Sequence, residues 1–318
     1  MIKNKKAFTL IEVIGVVTIL ALMLLLAVPA MTKTLKRNEQ KKYDHYIDNL
    51  KLATESYVVD RLKEGVTIGD VYYITLGDLI DEEFVQETIK NPENGGTLSR
   101  NTQIAVIKNL DGTRDYKVKE HYLLPSDYTL VEYIESTGTQ YIDTGIVPTN
   151  DTGVEIVYYP TNVTASQYIL GSRDGATGNI AYALNGASSR TDWDIRHDGQ
   201  TTFSNVNRTN NKFNSKMILK NGRVDWSITN LDTNSSVNIV ASNKTVTAQK
   251  NLMLFAYNNV NIHKGLRVYS CNIYDEELVV REFVPCYRNS DNEVGLFDLV
   301  NLKFYTNKGT GEFTYGEK

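Results

Sequence analysis

The chain has 318 residues, enough for two or three domains, and its 41% hydrophobic and 23% charged residues support a packed core and exclude general disorder. A net charge of −4 and an isoelectric point near 5.7 argue against a nucleic-acid partner, which leaves a basic footprint. Two cysteines, Cys271 and Cys286, are too few for a disulfide framework, and the residues alone leave one bridge and two buried thiols both open.

The N-terminus carries the strongest signal. Val13 to Met31 is uncharged and rich in Val, Ile, Leu and Ala. At 1.5 Å per residue this run of about 19 residues reaches roughly 28 Å, close to the hydrocarbon thickness of a bilayer. It passes straight into polar helix formers, unlike a cleaved signal peptide, which ends at a small-residue site. Glu12 interrupts the apolar start, and a carboxylate there is costly unless paired. The lysines before it, Lys3, Lys5 and Lys6, are its nearest cationic candidates.

Lys5-Lys6-Ala7-Phe8-Thr9-Leu10-Ile11-Glu12-Val13-Ile14 closely resembles the processing site of type IV prepilins and pseudopilins. The resemblance implies cleavage between Ala7 and Phe8 by a prepilin peptidase, N-methylation of Phe8, and a role for Glu12 in pairing with the new amine of a neighbouring subunit. Pro29 stands where pilins often carry a helix-kinking proline. Ala7 departs from the usual Gly before the cut. Counting basic residues, with Lys33, Lys36, Arg37, Lys41 and Lys42 after the span, would put the C-terminal side in the cytoplasm. The resemblance implies the opposite: single-pass residence in the cytoplasmic membrane, then the extracellular pilus.

From Thr32 to Lys63, Tyr43, Tyr46, Ile47, Leu50, Ala53, Tyr57 and Val58 recur at three- and four-residue spacings, predicting an amphipathic continuation of the helix that stops at Gly65. Ile74 to Ile80 reads as an extended piece entering a helix, and Asn91 to Gly96 as a loop. Ile104–Lys108 and Tyr116–Lys119 read as a hairpin around Asp111-Gly112. A long helix with a small antiparallel sheet resembles a pilin headgroup, and the order Ile89-Lys90-Asn91-Pro92 resembles those of Gram-positive pilins.

Beyond Leu124-Pro125-Ser126-Asp127 the pattern changes. Short runs such as Thr129–Ile134, Gly153–Tyr159, Ile180–Leu184, Val224–Ile228, Leu252–Tyr257 and Leu266–Tyr274, separated by polar turns, predict an all-β sandwich. Most of the 20 tyrosines fall here, in keeping with strands. Tyr128 to Gly145, Phe283 to Arg288, Gly295 to Asp298 and Phe304 to Asn307 resemble the two ends of laminin-G or concanavalin-like domains of bacterial surface and phage proteins. The expected fold is thus an α+β pilin followed by an all-β jelly-roll sandwich. Its expected segments are a leader 1–7, a transmembrane and assembly helix 8–31, a headgroup 32–122 and a sandwich 123–318.

The residues point away from catalysis. No paired-carboxylate strand, nucleophile elbow or phosphate-cradling glycine loop is present, and His45, His121, His197 and His263 lack metal-ligand spacing. Asp192 to Gly199 offers an aromatic beside carboxylates, making Trp193 and Asp194 the candidate ligand-binding residues; the alternative is a strand with Trp193 in the core. No cofactor is expected, although Asp174-Gly175 and Asp192 are candidate oxygen ligands for Ca2+. The reading is a minor or tip pilin-like subunit displaying a lectin-like adhesion domain for a glycan or protein receptor, with other pilin subunits, the prepilin peptidase and the membrane as partners. Two alternatives stand beside it: a pseudopilin of a secretion or DNA-uptake machine, and an unprocessed membrane-anchored binding protein.

Overall fold

The computed structural model describes residues 10–62, 71–85, 90–109, 111–163, 167–173, 180–186, 191–197, 200–220, 223–242, 246, 248–257, 265–275 and 278–318. The chain divides into two compact units, Met1–Val118 and Lys119–Lys318.

In the first unit α1, Leu10–Tyr57, runs 48 residues and ends in a π-helical turn, Val58–Leu62. The expected amphipathic face is present: Tyr43, Leu50 and Val58 are buried, while Tyr46, Ile47, Ala53 and Tyr57 are half-buried. Thr54 is also buried, its hydroxyl donating to the Leu50 carbonyl at 2.7 Å so that no polar atom is stranded. The expected stop at Gly65 lies outside the described residues. Among the described residues no helix is long and apolar enough to cross a membrane; the backbone of the expected span lies in α1, but the side chains of residues 20–33 lie outside the description.

Strands β1 (Val71–Thr75), β2 (Gln103–Lys108) and β3 (Arg114–Lys119) form a sheet in that order, with β1 antiparallel to β2. The extended piece expected before a short helix is β1, and the helix is α2, Leu76–Asp81. A reciprocal cap starts α2: the Asp78 amide donates to Thr75 Oγ1 at 3.1 Å and the Thr75 amide donates to Asp78 Oδ2 at 2.8 Å. Ile74, Leu79, Ile104 and Val106 bury against Val58, with Ala53 and Tyr57 beside them, so the sheet and α2 cover the apolar stripe of the helix.

The second unit opens with β4 (Tyr128–Leu130), β5 (Tyr133–Ser136), β6 (Ile142–Asp143), β7 (Thr152–Pro160), β8 (Gln167–Arg173) and β9 (Ile180–Gly186). It continues with β10 (Asp192–His197), β11 (Gln200–Asn207), β12 (Phe213–Lys220), β13 (Arg223–Asn230) and β14 (Ser235–Ser242). Last come β15 (Met253–Leu254), β16 (Leu266–Asp275), β17 (Leu278–Arg288), β18 (Val294–Asp298), β19 (Lys303–Thr306) and β20 (Thr314–Gly316). Among the described residues one sheet runs β11-β10-β9-β8-β15-β6 and the other β14-β13-β12-β7-β16-β17-β18-β19, with β4, β5 and β20 added at its side.

The two sheets form a β-sandwich because alternate residues of both are apolar. In β7 Val154, Ile156 and Tyr158 are buried; in β13 Val224, Trp226 and Ile228 are buried while Arg223 and Asp225 are exposed. They share one core with Leu170, Leu184, Trp193, Ile195 and Leu254 of the opposite sheet. The run expected from Leu252 to Tyr257 forms a strand only over Met253–Leu254, with an isolated bridge at Ala256. Phe255 takes a φ of 67°, which leaves the extended conformation and sends its buried ring against Phe313 at 5.0 Å. Both cysteines are free and buried, so no bridge joins them.

The terminal motif read as structural acts so. An added Cβ at Gly295 in β18 would lie inside contact distance of the Tyr305 carbonyl oxygen on β19. Gly295→Ala is therefore expected to destabilise the sandwich by about 1–3 kcal/mol, measured by urea unfolding, because the backbone must shift to admit one methyl.

Candidate functional site

Ala7 and Phe8 lie outside the described residues, and Glu12 falls within the backbone of α1 with its side chain not described. Asp174-Gly175 and Asp198-Gly199 also lie outside them. Among the described residues no group of three or more His, Cys, Asp or Glu converges as a metal site. Asp192 is buried, and its carboxylate accepts from the Asn205 amide at 3.3 Å.

Trp193 and Asp194 occupy β10 on opposite faces, as period-two geometry requires. Trp193 is fully buried, with ring centroids 5.3 Å from Tyr158 and 5.7 Å from Phe213, both edge-on. Of the two readings of Trp193, the structure has the core strand, and the reason is parity: Trp193 and Ile195 both face the apolar interior.

Asp194 also has no exposure. Its neighbours in register are Asn185 on β9 and Phe203 on β11, and Asn185 pairs onward with Tyr168 on β8. Asn185 Nδ2 donates to both carboxylate oxygens at 3.2 and 3.3 Å, and Arg196 Nε donates to Oδ1 at 3.1 Å. Burial pushes the Asp194 carboxyl above the ordinary range, with the Arg196 guanidinium opposing. This network ties neighbouring strands, and the carboxylate is buried within it.

A cavity of about 420 Å³ lies elsewhere in the sandwich, lined by residues of β6, β17 and β19 and the segments beside them. Asp143, the last residue of β6, is held by two donors: the Gly145 amide at 2.9 Å and Asn251 Nδ2 at 2.9 Å, both on Oδ1. Gly145 takes a φ of +72°, a left-handed turn that glycine adopts without strain.

Arg281 enters from β17, with Nε 3.4 Å from the fully buried Asp298 Oδ2 and Nη1 donating to the Val280 carbonyl at 2.7 Å. Asp298 is itself fixed by the Glu282 and Val300 amides, each donating to Oδ1 at 3.0 Å. Burial raises the Asp298 carboxyl above its usual range, against the backbone donors and Arg281. Lys303 and Lys308 also line the cavity, Lys303 Nζ standing 5.1 Å from the Tyr305 ring centroid. Asn301 Nδ2 donates to the Tyr305 hydroxyl at 3.0 Å.

Sequence reasoning missed this cavity because Asp143, Asn251, Arg281 and Lys303 are far apart in the chain. The available signal was the polar turn after Asp298, whose Asn301, Lys303 and Lys308 interrupt an otherwise structural motif.

A family model described as the prokaryotic N-terminal methylation motif matches residues 2–28. The chain carries a prepilin-type N-terminal motif. No curated protein sequence matches it. Among solved structures, the CBM40 of a Ruminococcus gnavus IT-sialidase bound to α2,3-sialyllactose aligns at 12% identity over 46% of this chain and 90% of that one, with a TM-score of 0.35. A Bacteroides ovatus protein described as carbohydrate binding aligns at 10% identity over 80% and 71%, with a TM-score of 0.41. The LG1-3 region of the laminin α2 chain aligns at 12% identity over 70% and 40%, with a TM-score of 0.37. The alignments are partial, and what those proteins bind belongs to them.

The core assignment of Trp193 is open to test. Trp193→Ala is expected to destabilise the sandwich by about 3–5 kcal/mol through the cavity it leaves, followed by the fluorescence of Trp226, the other of the chain's two tryptophans. The thiols give a second test. Burial raises both, Cys286 to about 12, so at pH 8 neither is expected to react with a thiol reagent in the folded protein and both react once it is unfolded.

Proposed function

We propose that the chain is a type IV pilin-like surface protein that displays a glycan- or protein-binding sandwich and acts by assembly and adhesion rather than catalysis. The observation that carries this reading is the methylation motif at residues 2–28, whose residues from Leu10 onward lie in α1. Residues 1–7 are the leader, 8–31 the membrane and assembly helix, 32–122 an α+β headgroup, and 123–318 a jelly-roll sandwich. The prepilin peptidase cuts between Ala7 and Phe8, and Phe8 is methylated.

The chemistry of assembly follows from desolvation. A carboxylate buried unpaired among apolar helices is costly, so Glu12 selects a subunit whose freed α-amine can neutralise it. Before assembly the same apolar surface holds the subunit in the cytoplasmic membrane, and afterwards it packs against neighbouring helices.

Size favours a minor or tip position. A compact domain of about 195 residues has a radius of gyration near 16 Å, whereas packed helices stand only about 8–10 Å apart. A filament made throughout of such subunits would be crowded at its surface.

Mass spectrometry of the protein recovered from cells is expected to find N-methylated Phe8 as the first residue. An intact Met1 would instead make the chain an unprocessed anchor. Glu12→Ala is expected to abolish recovery in sheared surface fibres while leaving the subunit in the membrane fraction, and undiminished recovery in fibres would refute the pairing role.

A further inference from the structure

We propose that the cavity bounded by Asp143, Arg281, Lys303 and Lys308 binds a carboxylate-bearing sugar, a hexuronic acid unit, as the ligand-contacting site of the sandwich. This rests on the glycan-binding reading above and adds to it a location and a ligand class.

The charge balance comes first. Three cations and one carboxylate line the cavity; Arg281 is paired with the buried Asp298 carboxylate, so Lys303 and Lys308 against Asp143 leave a net positive charge. Arg281 is oriented by its contacts at Nε and Nη1. Among the described residues its Nη2 makes no hydrogen bond to the protein, and this nitrogen stands 4.0 Å from where a Cβ at Gly145 would be. That leaves a fixed guanidinium edge facing open space beside a residue without a side chain. Lys303 and Lys308 are exposed and, among the described residues, form no ion pair with a carboxylate. A ligand of negative charge fits the three together.

A bare anion would leave the rest of the lining unused. Asp143 spends Oδ1 on the Gly145 amide and Asn251, so Oδ2 remains an acceptor in a cavity that favours negative ligands. A carboxylate acceptor there repels a simple anion but accepts hydrogen bonds from hydroxyl groups. Asn301 and Thr306 add neutral polar groups, and Phe304 and Tyr305 add apolar surface. A hexuronic acid carries both halves of this pattern: a carboxylate for the cations and a ring of hydroxyls for Asp143 and the amides. The volume of about 420 Å³ falls in the range of small-ligand sites.

The test compares D-galacturonic acid with D-galactose, which differ at C6, and with sodium sulfate as a bare anion. Binding to the full chain is followed by saturation-transfer NMR and titration. The proposal expects galacturonate to bind at least about tenfold more tightly than galactose or sulfate. Lys303→Ala with Lys308→Ala, both at exposed positions, is expected to weaken galacturonate about tenfold, and Asp143→Asn to narrow the preference for galacturonate over sulfate. Equal binding of galactose and galacturonate, both lost in the double variant, would overturn the acidic class and leave a glycan site standing. Galacturonate binding untouched by the double variant would overturn the location. Sulfate matching galacturonate would reduce the cavity to an inorganic anion site. Binding of none of the three would overturn this inference alone, while a glycan array blank across neutral and acidic sugars alike would remove the glycan reading beneath it.

Discussion

Burial of Tyr158, Trp193 and Phe213 between the two sheets sets the side-chain parity of the strands around them. A strand has a period of two, so once one large ring is committed to the interior its neighbours are committed to the other face. On β10 this sends Asp194 away from Trp193 and into register with Asn185. On β12 Phe213 is followed inward by Ser215, Met217 and Leu219, and the single hydroxyl in that series accepts from the buried Trp226 indole at 2.8 Å. A one-residue slip would strand that indole and expose Phe213. The polar groups of the sandwich are therefore placed largely by what the aromatics require.

The cavity follows the same logic one step further out. Asp298 is buried at the end of β18, in register with the core residue Phe283, and a buried carboxylate must be met by donors. The Glu282 and Val300 amides take one oxygen, and the Arg281 guanidinium approaches the other. The pair both shapes the turn between β18 and β19 and aims the remaining guanidinium nitrogen outward. Removing Asp298 would cost more than its own hydrogen bonds, because it would leave Arg281 without the partner that orients it.

Much of the fold was legible because local rules decided it. The helix face from Tyr43 to Val58, the step from β1 into a capped α2, and most of the sandwich strands follow from spacing and turn chemistry. Three features did not. Leu252–Tyr257 has a strand composition, yet only Met253–Leu254 form a strand, because tertiary packing holds Phe255 in a left-handed backbone state. Gln200–Asn207 has little apolar content but forms β11 on the edge of its sheet, where pairing with β10 substitutes for burial. Trp193 beside two aspartates reads first as a core strand and second as a platform, and the partner sheet decides for the core. The cavity was least legible of all, since its charges come from three separate stretches of chain and no local pattern joins them.

Net charge and local charge act on different length scales here. The chain carries −4 overall, which alone would discourage an acidic ligand. At physiological ionic strength, however, the Debye length is about 8 Å, so charges on distant surfaces are largely screened. The cations within a cavity of small-sugar size lie inside that length, and Arg281, partly enclosed, is screened least. The global charge thus bears on solubility and slow approach, while recognition at the proposed site would rest on the charges of the cavity. An acidic sugar taken at the proposed site would gain selectivity from this contrast, because the net negative charge elsewhere on the surface opposes its non-specific adhesion.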